Sequence, residues 1–165
     1  MLDAQGVSSL YKAQVRPVME YVTLTWSSCP PSYLTGLERV QARAQRLVRV
    51  CTRGHAPDTF QPLQHRRDVA GLCVMFKGQA LHTPHLATLR FPGPPAPTQA
   101  TRSAENSEHP HTVAVPFSRT EHNIRSFLPR YSRLWNQMVL STDLHRSTSL
   151  HIFKCRANEW LADQQ

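Results

Sequence analysis

A chain of 165 residues is long enough to bury one core and too short for two domains of ordinary size. Apolar residues make up 40% and charged residues 18%, which is typical of a folded protein and argues against a disordered one. The net charge is +8, and Arg supplies most of the 19 cationic side chains. Because the planar guanidinium binds phosphate through two parallel hydrogen bonds, this balance favours nucleic acid as a partner, with a merely soluble basic surface as the alternative.

The first predicted helix begins at Ser8 or Ser9 and runs to Val22, with a kink or restart at Pro17 because proline lacks a backbone N–H. The consecutive prolines that follow Cys29 predict a turn. No apolar run near the N-terminus is long enough for a signal peptide or a membrane span. The sequence therefore predicts an intracellular, soluble protein without a membrane partner.

The second predicted helix, 37–53, is the clearest one in the chain. Its apolar positions recur at spacings of three, four and seven, which predicts a buried stripe of Leu37, Val40, Ala44, Leu47, Val48 and Cys51. Taking about 100° per residue, five guanidinium groups gather on the opposite face, those of Arg39, Arg43, Arg46, Arg49 and Arg53. Glu38 is the single acid in this segment. The face is either a binding surface for an anion or a solvated outer face.

A third helix is predicted over 63–78, with Arg66 and Arg67 near its start, where the helix dipole disfavours cations. Residues 92–111 contain five prolines and no hydrophobic periodicity, which predicts a linker or an exposed loop. The predicted organisation is a basic helical region (1–91), this Pro-rich segment (92–111) and a C-terminal part (112–165), together forming one domain.

Residues 112–115 alternate weakly and are predicted to pair with 125–128 as a short β-hairpin. Pro129 then opens a helix, because its fixed φ suits the first helical turn. The last predicted helix starts between Ser147 and Ser149 and places five side chains on one face, those of Leu150, Phe153, Ala157, Trp160 and Leu161. The fold class is therefore predicted as mainly α: a small helical bundle with a short hairpin near 112–128.

Catalytic motifs are absent from the sequence. It has no G-x-S-x-G, no phosphate-binding G-x-x-x-x-G-K and no H-E-x-x-H, and its five Asp residues are scattered, whereas two-metal chemistry needs clustered carboxylates. The nine His and four Cys do not follow the repeated spacing of a zinc site. We therefore expect no catalytic residue, no metal and no cofactor, and an independent enzyme is the least favoured reading.

Several segments, in their order along the chain, resemble the region downstream of the polymerase core in reverse transcriptases of non-LTR retrotransposons, particularly the jockey-like branch. The first are LYKAQVRPVMEY (10–21), Trp26 and LERVQARAQRLV (37–48). The later ones are LQHRRDVAGL (63–72), FSRT (117–120), SFLPRYSRLWN (126–136) and SLHIFK (149–154). The resemblance covers the chain from about residue 2 to residue 161, and the order of its blocks makes it quite specific.

The resemblance implies an RNA-directed DNA polymerase of a mobile element whose catalytic carboxylates lie N-terminal to this region, so no catalytic residue of that family matches a position here. It implies a partial gene model, a truncated element or a decayed one. A helical region after the palm resembles a polymerase thumb, which implies contact with RNA or DNA backbone, or with an RNA–DNA hybrid. From spacing, the candidate contacts are the five arginines of 37–53 and, secondarily, Arg66, Arg67, Arg130 and Arg133. The alternatives are a helical interaction module that packs on a palm domain, and an inert product.

Overall fold

Eight α-helices are present in the computed structural model, which describes residues 3–26, 28–52, 60–89 and 109–164. Their bounds are α1 Ala4–Leu10, α2 Arg16–Glu20, α3 Thr23–Trp26, α4 Pro31–Cys51, α5 Leu63–Gln79, α6 Glu121–Arg125, α7 Phe127–Ser141 and α8 Leu150–Asp163. Short 3₁₀ turns cover Pro84–Leu89 and Leu144–Arg146. The prediction of a mainly helical protein is confirmed. None of the described helices is long and apolar enough to cross a membrane.

Contacts divide the chain into two compact units, Met1–Arg67 and Asp68–Gln165. The division falls within α5, whose first five residues belong to the first unit and whose remainder belongs to the second. The sequence grouped 1–91 as one region and placed the linker at 92–111. Within the Pro-rich segment, 92–108 lie outside the described residues, and the described part begins again at His109.

The N-terminal helical segment begins earlier than predicted. The Asp3 side chain accepts a hydrogen bond from the Gly6 N–H at 2.7 Å and caps α1, whereas Ser8 and Ser9 lie inside this helix. A π-helical turn, Tyr11–Val15, separates α1 from α2, and Pro17 lies in the first turn of α2. Because Pro17 has no N–H to donate to the turn before it, the backbone widens there and the helix restarts. The predicted interruption at Pro17 is confirmed.

The core of the first unit forms where α1 and the π-turn pack on α4. Its buried side chains are those of Tyr11, Met19, Val48, Phe60 and Leu63. The rings of Tyr11 and Phe60 stack with their centroids 4.5 Å apart. Burial raises the pKa of the Tyr11 hydroxyl, with a further contribution from Glu20, so this group stays protonated and acts as a donor.

The buried face of α4 differs from the predicted stripe. Leu37, Gln41, Ala44 and Val48 face the core, whereas Val40, Leu47 and Cys51 are exposed. Gln41 can be buried because its side chain is hydrogen-bonded at both ends: its oxygen accepts from the Tyr11 hydroxyl at 2.9 Å, and its nitrogen donates to the Gln61 carbonyl at 3.1 Å. The predicted stripe was wrong because it is rotated about the helix axis relative to the face that is buried. Hydrophobicity alone assigns Val40 to the core and leaves out Gln41, whose burial depends on its two hydrogen-bond partners.

The core of the second unit combines α5, α7 and α8. The rings of Phe76 and Phe153 stack at 4.2 Å, and Trp135 contacts Phe153 with centroids 6.3 Å apart. Ser149 caps α8 by accepting from the Ile152 N–H at 3.3 Å, as predicted. The predicted face of α8 is confirmed for Phe153, Ala157, Trp160 and Leu161, which are buried.

The predicted β-hairpin near 112–128 is wrong. Arg125 ends α6, which Thr120 caps by accepting from the Asn123 N–H, and Phe127 begins α7, so that Ser126 alone lies between the two helices. Within the described part of the chain no strand of more than one residue forms, and Val113 alone makes a bridge. The Asn136 side chain holds Val113 by two hydrogen bonds: its oxygen accepts from the Val113 N–H and its nitrogen donates to the Val113 carbonyl, each at 2.9 Å.

Replacing Asn136 with Ala is expected to destabilise the chain by about 2 kcal/mol or more, because two polar groups of a buried backbone segment lose their partner together. Urea unfolding followed by circular dichroism measures this effect. Gln137→Ala, at the exposed neighbouring position of α7, serves as the control and is expected to change stability by less than about 0.5 kcal/mol. Equal effects of the two substitutions would contradict a clamping role for Asn136.

Candidate nucleic-acid interface

Four arginines project from the face of α4 that lies opposite its buried side. Arg39, Arg43, Arg46 and Arg49 are exposed, while Gln41 and Val48 on the other side are buried. The amphipathic pattern produces this arrangement, because packing of Leu37, Gln41, Ala44 and Val48 against the core turns the arginines to solvent. We call these four side chains the arginine face. Arg53, the fifth predicted member, lies outside the described residues.

The arginine face is not neutralised within the described structure. None of its four guanidinium groups forms an ion pair with a carboxylate of a described residue. From Arg39 to Arg49 the helix rises about 15 Å, so four like charges lie along a short line and repel one another. An anion with repeated charges along its length would relieve this repulsion.

Arg66 lies in a different environment from the arginine face. Its Nη2 donates to Oε2 of Glu20 at 2.9 Å, and its Nε donates to the other carboxylate oxygen. Both side chains are largely covered, with exposed fractions of 30% and 24%. The hydrogen bond to Glu20 raises the pKa of the Arg66 guanidinium. This bidentate pair offsets the unfavourable position of a cation near the start of α5. It also occupies the guanidinium, which is then not free to bind an external ligand.

Arg67 is a core side chain. Only 2% of it is exposed, its guanidinium lies over the Trp26 ring at 5.2 Å, and its Nη1 donates to the Gln64 side chain at 3.2 Å. A flat cation stacked on an indole is a stable buried arrangement for Arg. Its position inside the protein is incompatible with direct contact to a bound strand.

The two arginines of α7 differ from each other. Arg130 forms a fork with Asp68, whose carboxylate oxygens lie 2.8 and 2.9 Å from Nη2. Arg133, three residues later, is exposed. Of the four secondary candidates, the structure therefore leaves Arg133 accessible and gives Arg66, Arg67 and Arg130 structural contacts.

An exposed apolar strip runs along α4 beside the arginine face and was missed by the sequence reasoning. Tyr33, Val40 and Leu47 have exposed fractions of 74%, 44% and 52%, although hydrophobic side chains of this size are usually covered. They recur every seven residues, which puts them on one side of a helix. That spacing was visible in the sequence, but Val40 and Leu47 were predicted to be buried in the core.

Chemically, the arginine face offers forked N–H donors and positive charge to an anion. No group of three or more His, Cys, Asp or Glu side chains in the described ranges is arranged to hold a metal ion. Comparison with known proteins found no matching family model, no matching curated protein and no matching solved structure.

Proposed function

We propose that the chain binds the sugar–phosphate backbone of nucleic acid through the arginine face of α4. The observation that carries the proposal is the exposure of four arginines on one helix face without an ion-paired carboxylate among the described residues. Guanidinium forks match phosphate oxygens in shape and charge, and an Arg-only face favours phosphate over simple solvation. Such binding depends on charge and backbone shape and is tolerant of sequence.

The order of the segments that resemble jockey-like reverse transcriptases supports a more specific proposal. In it, the chain is the post-palm, thumb-like part of an RNA-directed DNA polymerase of a mobile element. The arginine face then holds a primer–template duplex, and an RNA–DNA hybrid is the natural ligand. A helical thumb grips such a duplex by its backbone, which fits a binding surface built of arginines and without base-reading side chains.

The experiment is a fluorescence-anisotropy titration of the purified chain with labelled RNA–DNA hybrid, duplex DNA and single-stranded RNA at about 50 mM salt. Circular dichroism confirms in parallel that the chain is helical. The proposal expects binding to hybrid and duplex with little dependence on sequence. A folded chain that binds none of the three ligands at low salt would refute it.

A second candidate function is a helical module that packs on another polypeptide, such as a palm domain. The strip of Tyr33, Val40 and Leu47 favours this function, because exposed apolar side chains in one row are typical of protein contacts. If it is correct, Val40→Ser with Leu47→Ser abolishes capture of a family palm fragment and leaves nucleic-acid binding unchanged. Loss of nucleic-acid binding in this variant would instead assign the strip to the same surface as the arginines.

A further inference from the structure

Three imidazoles meet in the second unit, next to the segment that Asn136 holds on α7. The ring centroids of His109, His111 and His145 lie 5.6, 5.2 and 4.6 Å apart in the three pairs. We call these residues the histidine cluster. His109 and His111 belong to the segment that precedes Val113, while His145 lies in the 3₁₀ turn between α7 and α8. The cluster thus joins two segments that are distant in sequence.

The His145 side chain is buried without hydrogen bonds in the described structure. Only 5% of it is exposed, and neither of its ring nitrogens has a hydrogen-bond partner in the described structure. A neutral imidazole without partners costs the desolvation of two polar atoms, whereas a buried imidazolium without an acceptor costs far more. Burial therefore favours the neutral ring at this position.

The charged and titratable groups around His145 add to this preference. His111 and His109 face it across the cluster, and Arg146 and Asp143 lie on its own turn, where they form an ion pair with a nitrogen–oxygen distance of 3.6 Å. The turn also packs on α7 and α8, but no described charged group of these helices is among those that act on His145. Burial lowers the pKa of His145 below its ordinary value, and the neighbouring His111, His109 and Arg146 lower it further, while Asp143 acts in the opposite direction.

The segment that carries His109 and His111 is fastened to α7 by side-chain hydrogen bonds. Trp135 donates from its indole Nε1 to the His111 carbonyl at 3.0 Å, and Asn136 pairs with both backbone groups of Val113. The histidine cluster lies next to these hydrogen bonds, since His111 belongs to both. A change in the charge of the cluster is therefore expected to weaken first the hydrogen bond from the Trp135 indole to the His111 carbonyl.

We propose that the histidine cluster is a proton-sensitive contact that holds segment 109–113 on α7 near neutral pH and releases it on acidification. A proton on His145 has no acceptor within the described structure, and it lies close to two further imidazoles and to Arg146, so protonation of His145 weakens the contact. Because the unfolded or released chain binds a proton at His145 more readily than the folded one, the contact is complete above about pH 6.5 and weakens as the pH falls below it. The proposal is independent of nucleic-acid binding by α4.

The three tryptophan indoles permit a local test on the full chain. Trp135 donates to the His111 carbonyl, whereas Trp160 donates to Ser141 Oγ at 3.1 Å and reports on the packing of α7 with α8. In the chain labelled with ¹⁵N-tryptophan, the exchange rate of each indole is divided into that of a free indole at the same pH to give its protection, because the chemical rate itself changes with pH. Lowering the pH from about 7.5 to about 5.5 is expected to reduce the protection of the Trp135 indole by about tenfold or more. The protection of the Trp160 indole is expected to stay within about twofold.

His145→Phe is expected to abolish the pH response of Trp135, because it fills the same site with a ring that cannot be protonated. If this variant does not fold, His109→Gln with His111→Gln removes two groups that lower the pKa of His145 and is expected to shift the response to higher pH. His122→Gln, at an exposed position of α6, is the matched control and keeps the wild-type response.

Three outcomes overturn the proposal. The first is a Trp135 signal in the wild type that does not respond to pH, or that responds equally in His145→Phe. The second is a simultaneous change at Trp135 and Trp160, which indicates unfolding of the helices rather than release of one segment. The third is a shift of Trp135 caused by Zn²⁺ at neutral pH and lost in His145→Phe, which assigns the imidazoles as metal ligands.

Discussion

Replacing Arg39, Arg43, Arg46 and Arg49 with Gln is expected to weaken binding to an RNA–DNA hybrid by about 100-fold at about 50 mM salt. The substitutions remove four phosphate contacts and keep a side chain of nearly equal helix propensity. Because four repelling charges are removed at the same time, we expect α4 to remain helical and the chain to be no less stable. Anisotropy titration measures the affinity, and circular dichroism verifies the helix content.

A matched pair of double variants distinguishes the effect of the arginine face on binding affinity from the effect of net charge. Arg43→Gln with Arg46→Gln is expected to weaken binding about tenfold, whereas Lys154→Gln with Arg156→Gln removes the same charge from an exposed part of α8 and costs about twofold. Equal losses in the two variants would show that affinity follows overall charge, and the assignment of the interface to α4 would then fail.

The second large effect is expected at Gly71. A Cβ at this position would overlap three carbon atoms of the Tyr131 ring, which projects from α7 and is fully buried. Since neither the ring nor the helix backbone has room to move, Gly71→Ala is expected to destabilise the chain by about 2–3 kcal/mol despite the better helix propensity of alanine. Urea unfolding measures the change.

Gly36 on α4 provides the control for Gly71. A Cβ at Gly36 meets nothing within 4 Å, so Gly36→Ala gains helix propensity and is expected to stabilise the chain by about 0.5–1 kcal/mol. Opposite signs at two helical glycines support close packing of α5 on Tyr131. A stabilising Gly71→Ala would contradict that packing.

Local signals in the sequence predicted most helices well. The apolar periodicity of α5, that of α8 and the capping residue Ser149 are each signals within one short segment, so they could be interpreted without tertiary information. The start of α4 was placed too late because two prolines suggested only a turn. In the structure Pro31 occupies the first helical position, where a proline fits.

Features that depend on distant partners could not be predicted. The burial of Gln41 requires the Tyr11 hydroxyl, which lies 30 residues away, and the hydrogen-bond partner of the Val113 N–H is Asn136, 23 positions along the chain. A single sequence gives the polarity of Gln41 and Asn136 but not their partners.

The exposure of the candidate arginines was predicted in part for the same reason. The arginine face depends on one helix, and its four described members are exposed as the pattern predicts. Arg66 and Arg130 resemble them in sequence, yet their carboxylate partners lie 46 and 62 residues away and commit them to the fold. Charge pattern locates cations on a helix, and only the tertiary structure shows which of them remain accessible.

The salt dependence of hybrid binding tests the central claim most directly. For four phosphate contacts on a duplex, the logarithm of the binding constant is expected to fall with the logarithm of salt concentration with a slope of about −3 to −4. The variant without the arginine face is expected to lose nearly all of that slope. A wild-type slope near zero, or an equal slope in the two proteins, would contradict backbone binding by α4.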